Sequence, residues 1–534
     1  MMASLKYHLK LVLNSYDWQH EGAEEAASVL QQHLVQEKGT LISLDYSQCY
    51  DRMDVQASTM FLSNIQWPAA LISQMQQVWH TQRFLEFDGH IHPTLLQSSG
   101  IPQGCPLAPL TLACWMSSGI AAVNRLMQTQ GGYSSVEAAR AKVRVYMDDR
   151  SWVDSDYQRS LSRADQWLTW STAVGLRENV HKAQACSKLK RQHAQLRLDR
   201  PDWCREDAVK VLGVSLRPRP MANTELEQTR LRTAIQRAKL LSCLPVAFHK
   251  KIEIYRFFCL PKALYGWVSR FPPNRDVNLL FNSLSKMTGS NRVASPILRS
   301  VLYGGSCHLQ VLVATRLFKR LCRMKQRNTA SWSNAFGTPA GALRRWLKDF
   351  GWTETGQWKW TKEGESLQAP SHTEVDRQMH QMRMSWRLHL LRKFAGHTRH
   401  EAAEWRRSTS PLQMREEINQ VNLEAARKSF HAADSNGRAI LLGSIVSPAY
   451  LGRAKGEDDR CPWCGKLGTF MHIAWHCRDF PDAAQRPSLP TTWLERRLAW
   501  PQHTTSMTRH KQVLQWLAHV QQQVLLMRHG SARA

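Results

Sequence analysis

Acidic residues are scarce in this sequence relative to basic ones, and that imbalance argues against most metabolic enzymes. The 534 residues include 43 Asp and Glu against 71 Lys and Arg, a formal net charge of +28. Neutralising phosphates releases counterions, so such a surface binds nucleic acid in a salt-dependent way. The charge predicts a polyanionic partner, and the 21 tryptophans offer stacking surfaces for bases. The alternative at this point is a solvated basic surface that serves solubility alone.

Long apolar runs and a disulfide pattern are also missing. No uninterrupted apolar run approaches the roughly 18 residues of a membrane span. Lys6 and Lys10 interrupt the apolar part of the opening segment, which makes it a poor signal peptide. Of the 12 cysteines, nine are scattered singly and three fall between Cys461 and Cys477. We therefore expect a soluble protein of a reducing compartment, without a membrane partner and with one metal site.

The pattern of apolar residues predicts an α/β region followed by a basic helical region. The segment "TLISLDYSQCYD" is typical of a strand running into a helix, and "PLTLACWMSSGIAAVNRLM" of a helix that begins at its prolines. "AVKVLGVSL" is typical of one strand. A helix with a capping box at Thr224 to Glu227 follows, and basic helices dominate from about 300 to 455. Within them, "ETGQWKWT" predicts a small hairpin with Trp358 and Trp360 on one face.

Two acidic signals stand at the ends of predicted strands. Asp45 follows an apolar strand, and Asp148 and Asp149 lie between two strand-like runs in "VRVYMDDRSWV". Taken singly, they suit a helix cap and a hairpin turn. Nucleotidyl transfer, however, uses two divalent cations about 3.5 to 4 Å apart, and carboxylates on neighbouring strands can hold them. Three close carboxylates repel one another without such cations, so the cluster favours a Mg²⁺ site.

Five ordered motifs extend this interpretation to a known family. "LDYSQCYD", "GIPQGCPLAP", "YMDD", "GLRENVHK" and "VLGVSL", between residues 41 and 216, resemble the palm motifs of reverse transcriptases. The closest resemblance is to those of non-LTR (LINE-type) retrotransposons, and "LPKALYGW" from Leu260 to Trp267 is similar to a segment that follows the thumb helices in the family. The resemblance implies a right-hand polymerase with an α/β palm and fingers, a helical thumb and RNA-directed DNA polymerase activity. It also implies RNA template, DNA primer or target, and deoxynucleoside triphosphates as partners.

The resemblance assigns roles to the acidic residues and to their neighbour Tyr50. Asp45 and Asp148 correspond to the metal-binding carboxylates, with Asp149 beside them in the paired-aspartate motif. Two Mg²⁺ ions are implied, for which Mn²⁺ could substitute. Tyr50 corresponds to the aromatic gate that excludes a ribose 2′-hydroxyl, whereas RNA-copying RNA polymerases usually carry Asp there; the alternative is a buried aromatic on the helix.

Five further positions correspond to family motifs. Gln103 and Gly104 match the loop against the template and the new base pair, although "GIPQG" also suits an ordinary turn. Lys182 matches a lysine that is a candidate proton donor to pyrophosphate, and a solvated surface lysine is an equal alternative. Leu212 and Gly213 match the primer-grip hairpin. Arg150 follows the aspartates at a position where a hydrophobic residue is common in the family.

A second chemical site is predicted in "CPWCGKLGTFMHIAWHC". Cys461 and Cys464 form a Cys-x-x-Cys pair, and His472 and Cys477 complete a set of soft ligands that suits structural, tetrahedral Zn²⁺. His476 is an alternative fourth ligand, because it lies one helical turn after His472. The spacing resembles the knuckle near the C-terminus of LINE-type polyproteins, which favours Cys477. Free thiols are the remaining alternative.

The resemblance suggests a six-part division of the chain. The parts are partial fingers (1–44), palm (45–220), thumb-like helices (221–300), a basic helical connection (301–455), a CCHC zinc knuckle (456–480) and a C-terminal helical tail (481–534). Only 44 residues precede Asp45, and no fingers motif or endonuclease is evident. These departures suggest an N-terminally truncated piece of the polyprotein.

Two alternatives follow from these departures. The first is a catalytically inactive retroelement remnant that binds nucleic acid; the second, an RNA-dependent RNA polymerase, is disfavoured by Tyr50. Nuclear localisation is expected of an element that inserts into DNA, with a cytoplasmic ribonucleoprotein as the alternative. The sequence specifies neither the RNA or DNA target nor the oligomeric state.

Overall fold

The computed structural model describes most of the chain, in two compact units. The described residues are 23–80, 85–92, 100–102, 105, 107–139, 141–146, 148–218, 225–287, 296–326, 337–356, 359–362, 365–368, 374–396, 400–445, 447–456 and 458–531. Unit 1 comprises residues 1–227, 266–270 and 323–345, and unit 2 comprises residues 228–265, 271–322 and 346–534. The predicted catalytic residues fall in unit 1, and the predicted zinc ligands fall in unit 2.

The strands are β1 (Thr40–Leu44), β2 (Leu85–Phe87), β3 (His90–His92), β4 (Lys142–Tyr146), β5 (Asp149–Asp154), β6 (Gln184–Ser187), β7 (Val209–Val211), β8 (Val214–Leu216), β9 (Thr353–Gly356), β10 (Lys359–Lys362) and β11 (Glu365–Gln368). The helices up to residue 264 are α1 (Ala23–Gln36), α2 (Cys49–Arg52), α3 (Val55–Asn64), α4 (Ala69–His80), α5 (Ala108–Thr129), α6 (Ser135–Ala138), α7 (Tyr157–Ala173), α8 (Lys190–Asp199), α9 (Glu225–Cys243), α10 (Phe248–Ile254), a π-helix (Tyr255–Cys259) and α11 (Leu260–Leu264).

The later helices are α12 (Asn274–Met287), α13 (Pro296–Cys307), α14 (Leu309–Gln326), α15 (Pro339–Asp349), α16 (Val375–Ala395), α17 (His400–Ser408), α18 (Pro411–Gln420), α19 (Leu423–Ala432), α20 (Ser435–Leu441), α21 (Pro448–Lys455), a second π-helix (His472–His476), a 3₁₀ turn (Ala483–Gln485), α22 (Trp493–Leu498) and α23 (Met507–Ser531). No helix among the described residues has the length and hydropathy needed to cross a membrane.

The main sheet of unit 1 has the strand order β4-β5-β1-β6. The central strand β1 pairs antiparallel with β5 on one side and β6 on the other, and all five of its residues are buried. Apolar and β-branched residues suit a strand enclosed in this way. The predicted strand-to-helix transition after Leu44 and the predicted strands on both sides of the paired aspartates are confirmed.

Helices α5 and α7 pack against each other beside this sheet, and α7 also contacts β1 and β5. The predicted helix beginning at its prolines is α5, with Pro109 in its first turn. A Cβ atom on Gly119 of α5 would lie 2.8 Å from a ring atom of Trp170 and 2.9 Å from one of Trp167. Only glycine fits at this crossing, because the two indoles fill the space that a side chain would need. The core therefore brings α7 close under the strands that carry the aspartates.

The segment "AVKVLGVSL" forms two strands instead of the single predicted strand. β7 and β8 pair antiparallel, and Leu212 and Gly213 make the turn between them with φ angles of 50° and 73°. Two consecutive positive φ angles define the type I′ turn that joins hairpin strands most tightly. The residue pattern alone predicted a single strand, because leucine rarely adopts a positive φ, whereas the family resemblance implied a hairpin at Leu212 and Gly213.

Unit 2 is largely helical, with one small sheet of order β11-β10-β9. The predicted hairpin is therefore part of a three-stranded sheet, with Trp360 buried on its central strand. Trp358 lies outside the described residues. Along α16, Val375, Met379, Met382 and Trp386 are buried and belong to the core, whereas Leu390, one turn further on, is only partly buried. Thr224 of the predicted capping box lies outside the described residues; the buried face of α9 includes Leu231 and Leu241.

Candidate active site and metal centre

The sheet of unit 1 brings Asp45 towards Asp148 and Asp149. β1 and β5 pair in a register that ends with Leu44 opposite Arg150. Asp45 directly follows Leu44, and its negative charge acts on both Asp148 and Asp149, so the three carboxylates lie near one another. Asp149 is the first residue of β5, and Asp148 precedes it in the turn from β4. Antiparallel pairing therefore gathers carboxylates that are about 100 residues apart in the chain.

The charge of Asp45 affects the ionisation of Asp148 and Asp149. Burial, followed by the negative charges of Asp45 and Asp148, raises the pKa of Asp149 to about 6. Burial also raises the pKa of Asp148, and the charge of Asp45 adds to that rise. Both shifts measure the cost of holding negative charges close together away from water. Carboxylate oxygens are ligands that Mg²⁺ prefers, although among the described residues the ligand atoms of these three aspartates do not all lie within 4.8 Å of one another.

Lys182 forms an ion pair with Asp45. Its Nζ atom lies 2.6 Å from Oδ2 of Asp45, and this hydrogen bond is the main cause that raises the pKa of Lys182. The backbone N–H of Asn179 donates to the carbonyl oxygen of Asp45 over 2.8 Å, which joins the two segments at a second point. The lysine side chain is 65% exposed, so it can move between Asp45 and solvent.

A buried arginine lies behind the aspartates, and the sequence did not predict its role. Arg150 makes two hydrogen bonds of 2.6 Å to the carboxylate oxygens of Glu178. Its guanidinium also stacks on the ring of Tyr46 at 3.4 Å. Ser171 donates to Glu178 over 2.8 Å and lies 3.0 Å from the hydroxyl of Tyr46. Glu178, which lies in the "GLRENVHK" motif, thus neutralises the charge of Arg150.

Tyr50 lies on α2 and is half-buried against the core of unit 1. Burial and the charge of Asp148 raise its pKa to about 12, so the phenol stays protonated at neutral pH. Its backbone carbonyl accepts a hydrogen bond of 2.8 Å from the N–H of Ile101. The ring is therefore partly packed and near Asp148, and its role as a gate against ribonucleotides stays a prediction.

The other predicted positions divide into two groups. Gln103 and Gly104 lie outside the described residues. Leu212 and Gly213 form the β7–β8 turn described above, at the end of a hairpin whose apolar residues are buried.

Unit 1 thus has an antiparallel sheet with Asp45, Asp148 and Asp149 near one end of β1 and β5, and helices packed against it. Residues 4–216 match the family described as Reverse transcriptase (RNA-dependent DNA polymerase). The match supports a palm and fingers fold for this part of the chain and the enzyme class RNA-directed DNA polymerase, a nucleotidyltransferase. No curated protein matches the chain.

Unit 2 groups four potential zinc ligands. Cys461, Cys464, His472 and Cys477 place their ligand atoms within 4.8 Å of one another, and His476 is not among them. The sulfur atoms of Cys461 and Cys477 are 3.8 Å apart, which is about the edge of a tetrahedron with Zn–S bonds of about 2.3 Å. Burial lowers the pKa of His472, which keeps the imidazole neutral as a metal ligand must be. The residues present therefore fit a closed structural zinc site.

A second group of ligand-type residues in unit 1 is a charge-paired network. His193, Cys204 and Glu206 lie within 4.8 Å of one another by their ligand atoms. Nδ1 of His193 accepts the N–H of Ser187 over 3.4 Å, so in the neutral ring Nε2 carries the proton and faces Glu206 at 3.2 Å. Arg197 binds the other oxygen of Glu206. A metal would have to displace both contacts, and we assign none here.

Proposed function

We propose that the chain is the reverse transcriptase of a LINE-type retroelement, which copies an RNA template by extending a DNA primer with deoxynucleoside triphosphates. The approach of Asp45 to Asp148 and Asp149 across β1 and β5 carries this proposal. The motifs between residues 41 and 216 supply the LINE-type assignment, since the family match defines only the broader class. A polymerase domain with an intact carboxylate cluster favours an enzyme over an inactive remnant.

Two Mg²⁺ ions would bind at Asp45, Asp148 and Asp149. When bound, they would activate the primer 3′-hydroxyl and neutralise the triphosphate. The residues themselves supply the anionic oxygens and hold them in a fixed register through the sheet. The raised pKa values of Asp148 and Asp149 support this assignment, because the charges are costly without a cation.

Lys182, Tyr50 and the β7–β8 turn have supporting roles in this proposal. The exposed Lys182 would release Asp45 and donate a proton to the departing pyrophosphate. The ring of Tyr50 would exclude a ribose 2′-hydroxyl. Leu212 and Gly213 would hold the primer strand, and Gln103 with Gly104 would contact the template and the new base pair.

We keep the six-part division of the chain in this proposal, with a thumb-like region at 221–300, a basic connection at 301–455 and a helical tail at 481–534. The knuckle at 456–480 would bind structural Zn²⁺ and contribute to nucleic-acid binding. Nuclear action would follow from insertion into a DNA target.

Primer extension on poly(rA)·oligo(dT) with Mg²⁺ tests the proposal. We expect incorporation of dTTP but not UTP by the full chain. Asp148→Asn keeps the shape of the side chain but removes a metal-binding charge, and we expect at least about a 1,000-fold loss of rate, or about 4 kcal/mol. Asp165→Asn, at an exposed position on α7, is the matched control. Equal extension by the Asp148 variant would refute the assignment of the catalytic site, and UTP incorporation would refute the deoxynucleotide specificity.

A further inference from the structure

Three arginines of unit 2 form a group with no acidic hydrogen-bond partner among the described residues. Arg383 and Arg387 lie one helical turn apart on α16, and Arg427 lies on α19. The side-chain Nε atoms of Arg383 and Arg387 are buried and have no hydrogen-bond partner. Arg387 is only 5% exposed, and its one hydrogen bond in the described part of the chain goes to the sulfur of Met384 over 3.6 Å. A buried cation that lacks an anionic partner is an unusual feature.

Helix α13 packs against both α16 and α19, which brings the arginines of these two helices into one neighbourhood. Burial, followed by the positive charges of Arg427 and Arg383, lowers the pKa of Arg387 to about 10. Burial also lowers the pKa of Arg383, with Arg427 again contributing. Each arginine thus raises the cost of protonating its neighbours, and a shared anion would reverse the sign of that interaction.

The nearest carboxylates do not neutralise the group. Asp376 acts on Arg383 but also lies 3.6 Å from Lys319. Glu424 acts weakly on Arg387 and lies 3.6 Å from Lys428. Each acid is therefore shared with a lysine, and the neighbourhood keeps an excess of positive charge.

Two exposed aromatic rings lie on the π-helix that continues α10. The ring of Phe248 in α10 lies 5.7 Å from that of Phe430 and 6.0 Å from that of His431, which holds α10 against α19, the helix that carries Arg427. The π-helix includes Arg256. The two residues that follow it, Phe257 and Phe258, are 70% and 63% exposed. π-Helical turns often mark functional sites, and exposed rings beside arginines suit the stacking of unpaired bases.

We propose that Arg383, Arg387 and Arg427 bind the phosphate backbone of a single-stranded nucleic acid, whose bases stack on Phe257 and Phe258. The planar arginine side chain binds phosphate oxygens through two parallel hydrogen bonds, which satisfies the Nε donors left without partners. The proposal rests on the proposed function only in that the partner is nucleic acid. It concerns unit 2, and it holds whether or not the polymerase site is active.

Binding of a labelled RNA of about 20 nucleotides by the full chain, measured over a range of salt concentrations, tests this site. The variants are Arg383→Gln with Arg427→Gln, Arg387→Met, and Phe257→Ser with Phe258→Ser; Arg415→Gln, at an exposed position on α18, is the matched control. We expect the double arginine variant to bind about tenfold more weakly. Its slope of log K against log salt should fall by about 1.4, since each phosphate contact to a single strand contributes about 0.7.

Thermal unfolding of Arg387→Met separates binding from folding. Removing a buried cation without a partner should raise the Tm while weakening RNA binding, whereas a structural arginine would lower the Tm when replaced. A lower Tm would overturn the proposal, and so would an unchanged salt slope in the double arginine variant.

Competitors and the Asp148→Asn variant identify the ligand and isolate the site. We expect the aromatic double variant to weaken RNA binding without changing the salt slope. If inorganic phosphate or polyglutamate bound at the arginines while RNA affinity stayed the same in the arginine variants, the site would serve a free anion or an acidic protein, and the proposal would fail. Asp148→Asn should bind RNA as strongly as the unchanged protein, because RNA binding at the arginines of unit 2 does not require polymerisation. The binding test therefore still decides this proposal if the polymerase assignment fails.

Discussion

Arg150 and Glu178 form a buried ion pair with two hydrogen bonds of 2.6 Å, directly behind the carboxylates of unit 1. Arg150 follows Asp149 in β5, so the two side chains point to opposite faces of the sheet. Glu178 forms an isolated bridge with Tyr46, the residue after Asp45. The pair therefore joins the strand that begins at Asp149 to the segment that follows Asp45.

Breaking this pair should destabilise unit 1. Arg150→Met leaves the Glu178 carboxylate buried without its partner, and we expect the free energy of unfolding to fall by about 3 to 5 kcal/mol. Chemical denaturation followed by tryptophan fluorescence measures this change. Arg200→Met is the matched control, because the exposed pair of Arg200 with Asp165 should contribute less than about 1 kcal/mol.

The double variant Arg150→Met with Glu178→Leu should recover part of the lost stability, since it leaves no buried charge. Primer extension should fall in the single and double variants, because the segments that carry the aspartates lose their common anchor. If Arg150→Met costs no more than Arg200→Met, the pair does not support the site.

Tyr50 should control the choice between deoxynucleotides and ribonucleotides. Replacing Tyr50 with Val removes the ring, and we expect the ratio of kcat/KM for dTTP over UTP to fall by between about 10- and 200-fold. Tyr50→Phe keeps the ring and should preserve the ratio. Single-nucleotide incorporation measures both variants, and unchanged discrimination by Tyr50→Val would assign the ring to packing alone.

His308 should make unit 2 sensitive to acid. The ring lies 4.8 Å from that of Trp386 and 5.5 Å from that of Phe281, and burial lowers its pKa to about 4. An unfolded histidine has a pKa of about 6.5, so the unfolded chain binds a proton first as the pH falls. The contribution of His308 to the free energy of unfolding is therefore complete above about pH 6.5 and falls by up to about 3 kcal/mol by pH 4.

The matched variant for this prediction is His308→Phe, which fills the site without a titrating group. Its stability should decline less than that of the parent between pH 6.5 and pH 4, as measured by urea denaturation at each pH. Identical pH dependence of the two proteins would contradict the prediction, because it would show that the folded ring of His308 takes up its proton as readily as the unfolded one. Buried acids such as Glu495, whose pKa burial raises, stabilise the folded state as the pH falls. Because both proteins contain these acids, comparing the two cancels this effect.

Zinc content should follow Cys477 and not His476. Cys477→Ser removes one of the four grouped ligands, and we expect the metal content to fall from one zinc per chain towards zero. His476→Ala and His193→Gln should each retain one zinc. Elemental analysis after dialysis measures this, and chelation should unfold the knuckle, since structural zinc contributes about 10 kcal/mol or more. Loss of zinc from the His476→Ala variant would instead assign His476 as the fourth ligand in place of Cys477.

The sequence predicted those parts of the site whose signals are local. Asp45 and the paired aspartates each adjoin a run of strand-forming residues, so their positions at strand ends could be expected before their pairing was known. The role of Arg150 could not be predicted, because its partner is 28 residues away and meets it only through the packing of α7 and the loop before β6. The turn at Leu212 followed from the family resemblance and not from the local residue pattern, since the pairing of β7 with β8 imposes the conformation of Leu212.

The central position of β1 makes the length of one short segment critical. Because β1 is hydrogen-bonded on both sides, a slip of one residue would reverse the direction of every side chain in it. Asp45 would then face the side on which Arg150 meets Tyr46, and the carboxylates would no longer share one edge. Between Thr40 and Asp45, a single inserted or deleted residue would therefore turn Asp45 away from Asp148 and Asp149.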